Sequence, residues 1–182
     1  PTPEVTPELL DLLEAFDVDY AVLTGDMLSL SVLPNRDYAA ELARAYNELM
    51  LEKWLPADER LLGSVLVAPQ HPERAAELIR EYGTEDRMVQ VLMNSVSRGG
   101  YGEPRYRPIF EAAVEVGLPV ALHPSNQGAG MSEPPNAVGY PSTYFARHNA
   151  MPMLHMGQLN SLLSEGVFAA LPDLRVVFVG SA

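Results

Sequence analysis

Leu118-Pro119-Val120-Ala121-Leu122-His123-Pro124-Ser125 is an apolar run, set between Gly117 and Pro124, that ends on a histidine and breaks into a loop. Uninterrupted apolar residues between two breakers mark a strand buried on both faces, the kind found in parallel sheets. The carboxyl ends of such strands open onto the active face of parallel α/β folds. An imidazole placed there has a rigid base, and His123 is the first candidate for a metal ligand. The plainer use of a histidine at a strand end is a hydrogen bond to a neighbouring carbonyl, so the surrounding pattern has to decide.

Working outward from this run, the chain alternates helices and strands. Thr6 caps a helix with Pro7 at its first position, and a strand follows at Tyr20–Thr24. Met27 to Asn35 reads as a loop on the active face. Tyr38, Leu42, Ala45, Tyr46, Leu49 and Met50 recur at helical spacing and predict a helix from Asp37 to about Trp54. The strand Leu61–Ala68 comes next, then a helix opened by His71-Pro72, with His71 as its cap, and closed by Gly83. A third strand, Met88–Met93, runs into Asn94-Ser95 and the glycine-rich loop from Arg98 to Pro104. The helix Pro108–Val116 leads to the His123 strand, and Asn126 to Ser142 forms a long loop of the kind that usually carries function. Thr143 to Ala170 is helical with an interruption expected at Pro152, and Arg175–Val179 is a fifth strand.

That alternation demands a parallel sheet with right-handed crossovers in a single domain spanning residues 1–182. Two architectures satisfy it. One is a five-stranded doubly wound sheet, which would suit a non-catalytic binding or scaffold domain. The other is an α/β partial (β/α)8 TIM barrel, approximately strands 2 to 6, truncated at both ends, because a whole barrel takes roughly 250 residues.

Composition removes several classes of function. With 47% hydrophobic and 20% charged residues the chain is ordinary globular protein. A formal net charge of −12, with basic residues scattered singly, argues against a nucleic-acid partner. No apolar run approaches the roughly 18 residues that cross a bilayer, and Pro1-Thr2-Pro3-Glu4 does not resemble a signal peptide, so a cytoplasmic protein without membrane contact is expected. There is no cysteine, so a metal would be held by histidine and carboxylate. Neither Gly-x-Gly-x-x-Gly after a first strand nor a Gly-Lys-Ser/Thr phosphate loop is present.

The stretch from Tyr106 to Pro124 resembles the metal-dependent amidohydrolases of the aminocarboxymuconate-semialdehyde decarboxylase-like branch, and so does the stretch from Glu165 to Phe178. The resemblance implies a (β/α)8 barrel with a divalent metal, usually zinc, that hydrolyses or non-oxidatively decarboxylates a small carboxylate substrate. It further implies that His123 is the fifth-strand ligand and that the enzyme is a homodimer. The family's His-x-His pair would precede Pro1 and its eighth-strand aspartate would follow Ala182. Where the family's sixth strand commonly ends in His or Glu, this chain carries Gly180.

The remaining candidates come from strand exits and loops. Asn94 and Arg98 could orient a substrate carboxylate through paired hydrogen bonds, although a solvated loop is the plainer use of both. His148, at a helix start facing the active side, is a further candidate for substrate contact. His155 shares a face with Leu159 and Leu162 and reads as a packed histidine. Glu133 and Asp26 could be acids on active-side loops.

Overall fold

The computed structural model describes residues 7–24, 27–124 and 139–180. Five strands, β1 (Ala21–Val22), β2 (Leu61–Leu66), β3 (Met88–Asn94), β4 (Val120–His123) and β5 (Val176–Phe178), are all parallel and lie side by side in chain order. The helices are α1 (Pro7–Ala15), α2 (Arg36–Leu49), α3 (Pro72–Tyr82), α4 (Arg107–Glu115), α5 (Tyr144–Ser164) and α6 (Val167–Ala170).

Strand order decides between the two architectures. A doubly wound sheet reverses its order at a switch point. Here every strand adds on the same side of the one before it, as in the wall of a (β/α)8 barrel. The fold is therefore half a barrel, and the five-stranded doubly wound alternative is corrected by topology rather than by strand count.

Burial follows from position in that wall. The middle strands are closed on both faces, with Val65, Val91, Leu92, Val120, Ala121 and Leu122 almost wholly buried. Their apolar runs are what two-sided burial requires. The edge strands stay partly open, and Val22 on β1 and Val177 on β5 are 45% and 44% exposed. Outside the sheet, α3 and α4 pack against each other, and both carry small buried residues, Ala75 and Ala76 on α3 and Ala112 and Ala113 on α4.

The expected strand Tyr20–Thr24 is reduced to two residues, and a side chain takes over part of its work. Leu23 N–H donates to the Leu62 carbonyl, and among the described residues no strand residue pairs with β2 further along that side. The fully buried Asn47 of α2 fills the place, its Nδ2 donating to Leu66 O at 3.0 Å and its Oδ1 accepting from Leu66 N at 2.9 Å. Asn47→Ala would leave a buried donor and a buried acceptor unpaired. A loss of about 2–4 kcal/mol of stability is expected, read as a lower urea midpoint with unchanged slope in the full-length protein.

Three local expectations are corrected. α2 ends as a regular helix at Leu49 and continues as a wider turn over Met50–Trp54. Met27–Val32 forms a 3-10 helix inside the expected loop. α5 runs through Pro152 without a break. The hydrogen bond that proline removes would have reached the His148 carbonyl, and His148 is exposed, so water can satisfy that group at little cost.

Candidate active site

His123 is the last residue of β4, half-buried and in register with Asn94 at the end of β3. The two strand exits are tied together, since Ser95 N–H donates to the His123 carbonyl at 2.9 Å. The ring's Nδ1 lies 3.0 Å from the Pro124 carbonyl oxygen. A carbonyl can only accept, so Nδ1 carries the proton and Nε2 keeps its lone pair. That is the tautomer a histidine needs to ligate a metal through Nε2, with the backbone carbonyl fixing the ring. The donor chemistry at this position therefore fits a divalent metal. Among the described residues no three His, Asp or Glu side chains gather into a group that could hold a metal.

Behind His123 stands His155 of α5, 4% exposed, with Nε2 2.7 Å from Ser95 Oγ and its ring 5.4 Å from that of Phe178 on β5. Burial pushes its pKa down, the repulsion that a protonated His123 would exert acts in the same direction, and the Leu122 backbone partly offsets both. A packed histidine is thus what the structure contains, and Leu162 of the expected apolar stripe is fully buried. Leu159 is 38% exposed, and the buried side that carries His155 also includes Gln158.

His155, Gln158 and Ser161 clamp the glycine-rich loop after β3 onto α5. Gln158 Nε2 donates to Ser95 O at 2.9 Å and to Ser97 Oγ at 2.8 Å, and its Oε1 accepts from Tyr101 N at 2.9 Å. Ser161 Oγ accepts from Gly102 N at 3.0 Å. The approach is close enough that a Cβ on Gly102 would lie 2.2 Å from the Ser161 carbonyl oxygen. Tyr101, fully buried, donates its hydroxyl to Asn94 O at 2.6 Å and closes the loop on itself.

The other expected site residues separate. Asn94 is 1% exposed and its Oδ1 accepts from Val96 N at 2.9 Å, so it shapes the loop. His148 is exposed and stacked on Tyr144 with ring centroids 6.1 Å apart. Arg98 lines a cleft of about 310 Å³ together with Arg36, Gln70, Arg105 and Tyr106. His123, Asn94 and His148 are not in its described lining. His71 sits at the first position before α3, yet its ring does not cap the helix and lies 3.2 Å from Asp37 Oδ1. Gly180 adopts φ 64° beside Pro124, a left-handed backbone that glycine takes without strain. Asp26, Glu133 and most of the expected loop from Asn126 lie outside the described residues.

The family model described as Amidohydrolase matches residues 11–179. A gamma-resorcylate decarboxylase of Rhodococcus jostii is 29% identical over 181 residues, covering 92% of this chain and 53% of the relative. Among solved structures, 5-carboxyvanillate decarboxylase from Sphingomonas paucimobilis is 26% identical with a TM-score of 0.74, covering 98% of this chain and 53% of that one. The 5-carboxyvanillate decarboxylase of Novosphingobium aromaticivorans, solved with manganese and 4-hydroxy-3-methoxy-5-nitrobenzoic acid, has a TM-score of 0.76 at 24% identity, covering 95% and 48%. The chain thus spans about half the length of the relatives it matches. A half-barrel in strand order, a histidine presented at the end of the strand where the resemblance implies a ligand, and a family match over most of the chain agree: this protein belongs to the amidohydrolase family.

Proposed function

We propose that this stretch is the middle of a metal-dependent, non-oxidative decarboxylase of small aromatic carboxylates. The observation that carries the reading is the His123 ring, held by the Pro124 carbonyl in the tautomer that leaves Nε2 for a metal. The relatives are decarboxylases, which favours loss of carbon dioxide over hydrolysis. In that reaction the bond between ring carbon and carboxylate breaks, carbon dioxide leaves, and a proton takes its place on the carbon.

A bound divalent metal would supply a fixed positive charge that orients and polarises the acid. His123 would hold it, with the remaining ligands coming from other parts of the full-length protein. A nitrogen and oxygen donor set without thiolate suits zinc or manganese, and manganese is the ion in the Novosphingobium relative. The residues of this chain give the site its frame: the Ser95 bond to the His123 carbonyl and the α5 clamp fix the exits of β3 and β4 relative to each other. Of the expected substrate contacts, Arg98 is the one whose guanidinium lines an open cleft, while Asn94 acts through the loop and His148 through an exposed position on α5. The proposal also takes the enzyme to be a cytoplasmic homodimer. No helix among the described residues is long and apolar enough to cross a membrane.

The test uses the full-length protein. Stripped of metal and reloaded with manganese or zinc, it should release carbon dioxide from 2,6-dihydroxybenzoate or 5-carboxyvanillate only when loaded. Metal-dependent hydrolysis of an amide or lactone without release of carbon dioxide from any aromatic acid would overturn it.

A further inference from the structure

We propose that His155 is a positioning residue for the metal ligand: from the back of the sheet, acting through Ser95, it fixes the strand exit that presents His123. The role rests on His123 being a ligand and adds to that site a residue that touches neither metal nor substrate.

Strand register sets the geometry. Leu122 of β4 is paired with Phe178 of β5, and successive side chains of a strand point to opposite faces, so Leu122 and Phe178 share the face opposite to His123. His155 comes in from α5 against that back face, its ring 5.4 Å from the Phe178 ring. From there it reaches Ser95, the residue after β3, with Nε2 2.7 Å from Oγ.

Ser95 is 1% exposed and is held at every polar group it has. Its N–H donates to the His123 carbonyl at 2.9 Å, its carbonyl accepts from Gln158 Nε2 at 2.9 Å, and its hydroxyl is bonded to His155. Gln158 and His155 both stand on α5, so the helix grips backbone and side chain of the one residue that ties β3 to the ligand's own carbonyl. The precision matters, because bonds from a metal to its ligands tolerate a misplacement of about 0.2 Å. Partners that hold a metal ligand from behind are worth roughly 10–100-fold in metal affinity.

The residue type points the same way. An apolar side chain would fill this buried position without a polar atom to desolvate, whereas the imidazole leaves its Nδ1 with no hydrogen-bond partner among the described residues. Burying an unpaired polar atom is unfavourable, so packing alone does not account for a histidine here. What the imidazole supplies in exchange is the bond to Ser95.

The test compares manganese affinity and thermal unfolding of the full-length protein with those of His155→Phe, His155→Gln, Ser95→Ala and the double variant His155→Phe, Ser95→Ala. Phenylalanine keeps the packing against Phe178 and loses the bond to Ser95, while the amide nitrogen of glutamine takes the place of Nε2. At melting temperatures close to the wild type's, His155→Phe and Ser95→Ala should each bind manganese at least about tenfold more weakly. The double variant should be no weaker than the weaker single one, because both changes remove the same bond, and His155→Gln should recover most of the loss. In the metal-free protein the Nδ1–H of His123 should exchange with water faster in His155→Phe than in the wild type. Wild-type manganese affinity in His155→Phe, losses that add in the double variant, or no recovery in His155→Gln would overturn the role. Ser95→Ala, which removes a single oxygen atom, gives the same reading should His155→Phe not fold. A wild-type protein that takes up no manganese would remove His123 as a ligand and this role with it, so the wild type tells failure of the ligand from failure of its positioning.

Discussion

His123→Ala in the full-length enzyme is expected to lower metal affinity by more than about a hundredfold and turnover with it. Changes to the outer partners of metal ligands already cost roughly 10–100-fold, and loss of a ligand should cost no less. A bound metal contributes several kcal/mol of charge stabilisation, and each 1.36 kcal/mol or so is a factor of ten in rate, so turnover should fall at least about a hundredfold. Metal content after dialysis and carbon dioxide release are the paired readouts. They must fall together, because the proposed role of His123 is to hold the ion. Nitrogen NMR of the metal-free protein should also show His123 protonated on Nδ1, the atom facing the Pro124 carbonyl. Metal content unchanged in the Ala variant would end the ligand assignment.

The parts of this molecule that were legible in the sequence are those where one residue's environment is set by its immediate neighbours. β2, β3, β4 and β5 stand where the apolar runs lie, because a strand covered on both faces has no alternative to apolar residues. His123 stood out because it breaks such a run at its exit. The choice between half-barrel and doubly wound sheet was not legible from the alternation alone, since both alternate in the same way, and strand order is a long-range property.

The polar stripe of α5 escaped detection for a related reason. His155, Gln158 and Ser161 are spaced like a solvated helix face, and only the glycine-rich loop on the other side turns that face into an interior one. Gly100 and Gly102 were the available signal, because glycines in such a loop leave room for another backbone to come close. Asn94 stands where a substrate contact is expected, and its Oδ1 accepts from Val96 N in the turn that follows β3. The cleft that Arg98 lines draws on the start of α2, on the segment between β2 and α3 and on that between β3 and α4, and no local pattern joins them.

Expressed by itself, the 182-residue stretch is expected to self-associate and to show little metal-dependent activity, whereas the full-length protein should be discrete and active. A barrel has no edges because its first and last strands pair, but here β1 and β5 each bound the sheet with one unpaired side. Unpaired backbone groups beside exposed apolar side chains are a template for another chain. Val22 and Val177 supply such side chains on the two edge strands, and Phe16 and Tyr20, 74% and 69% exposed, lie just before β1. α5 adds an outer apolar face, with Tyr144, Phe145, Met156 and Leu163 at 77%, 78%, 68% and 60% exposure. Scattered apolar surface is ordinary, but contiguous patches next to open strand edges mark contact surfaces. The proposed metal site is short of ligands as well, since a catalytic centre takes about three protein ligands and no three His, Asp or Glu side chains gather among the described residues. Sedimentation, thermal unfolding and metal content of the stretch and of the full-length protein, compared side by side, decide the matter. A stretch that sediments as a monomer, melts cooperatively and decarboxylates an aromatic acid with metal bound would show that half a barrel is enough, and that the open edges of β1 and β5 are tolerated in water.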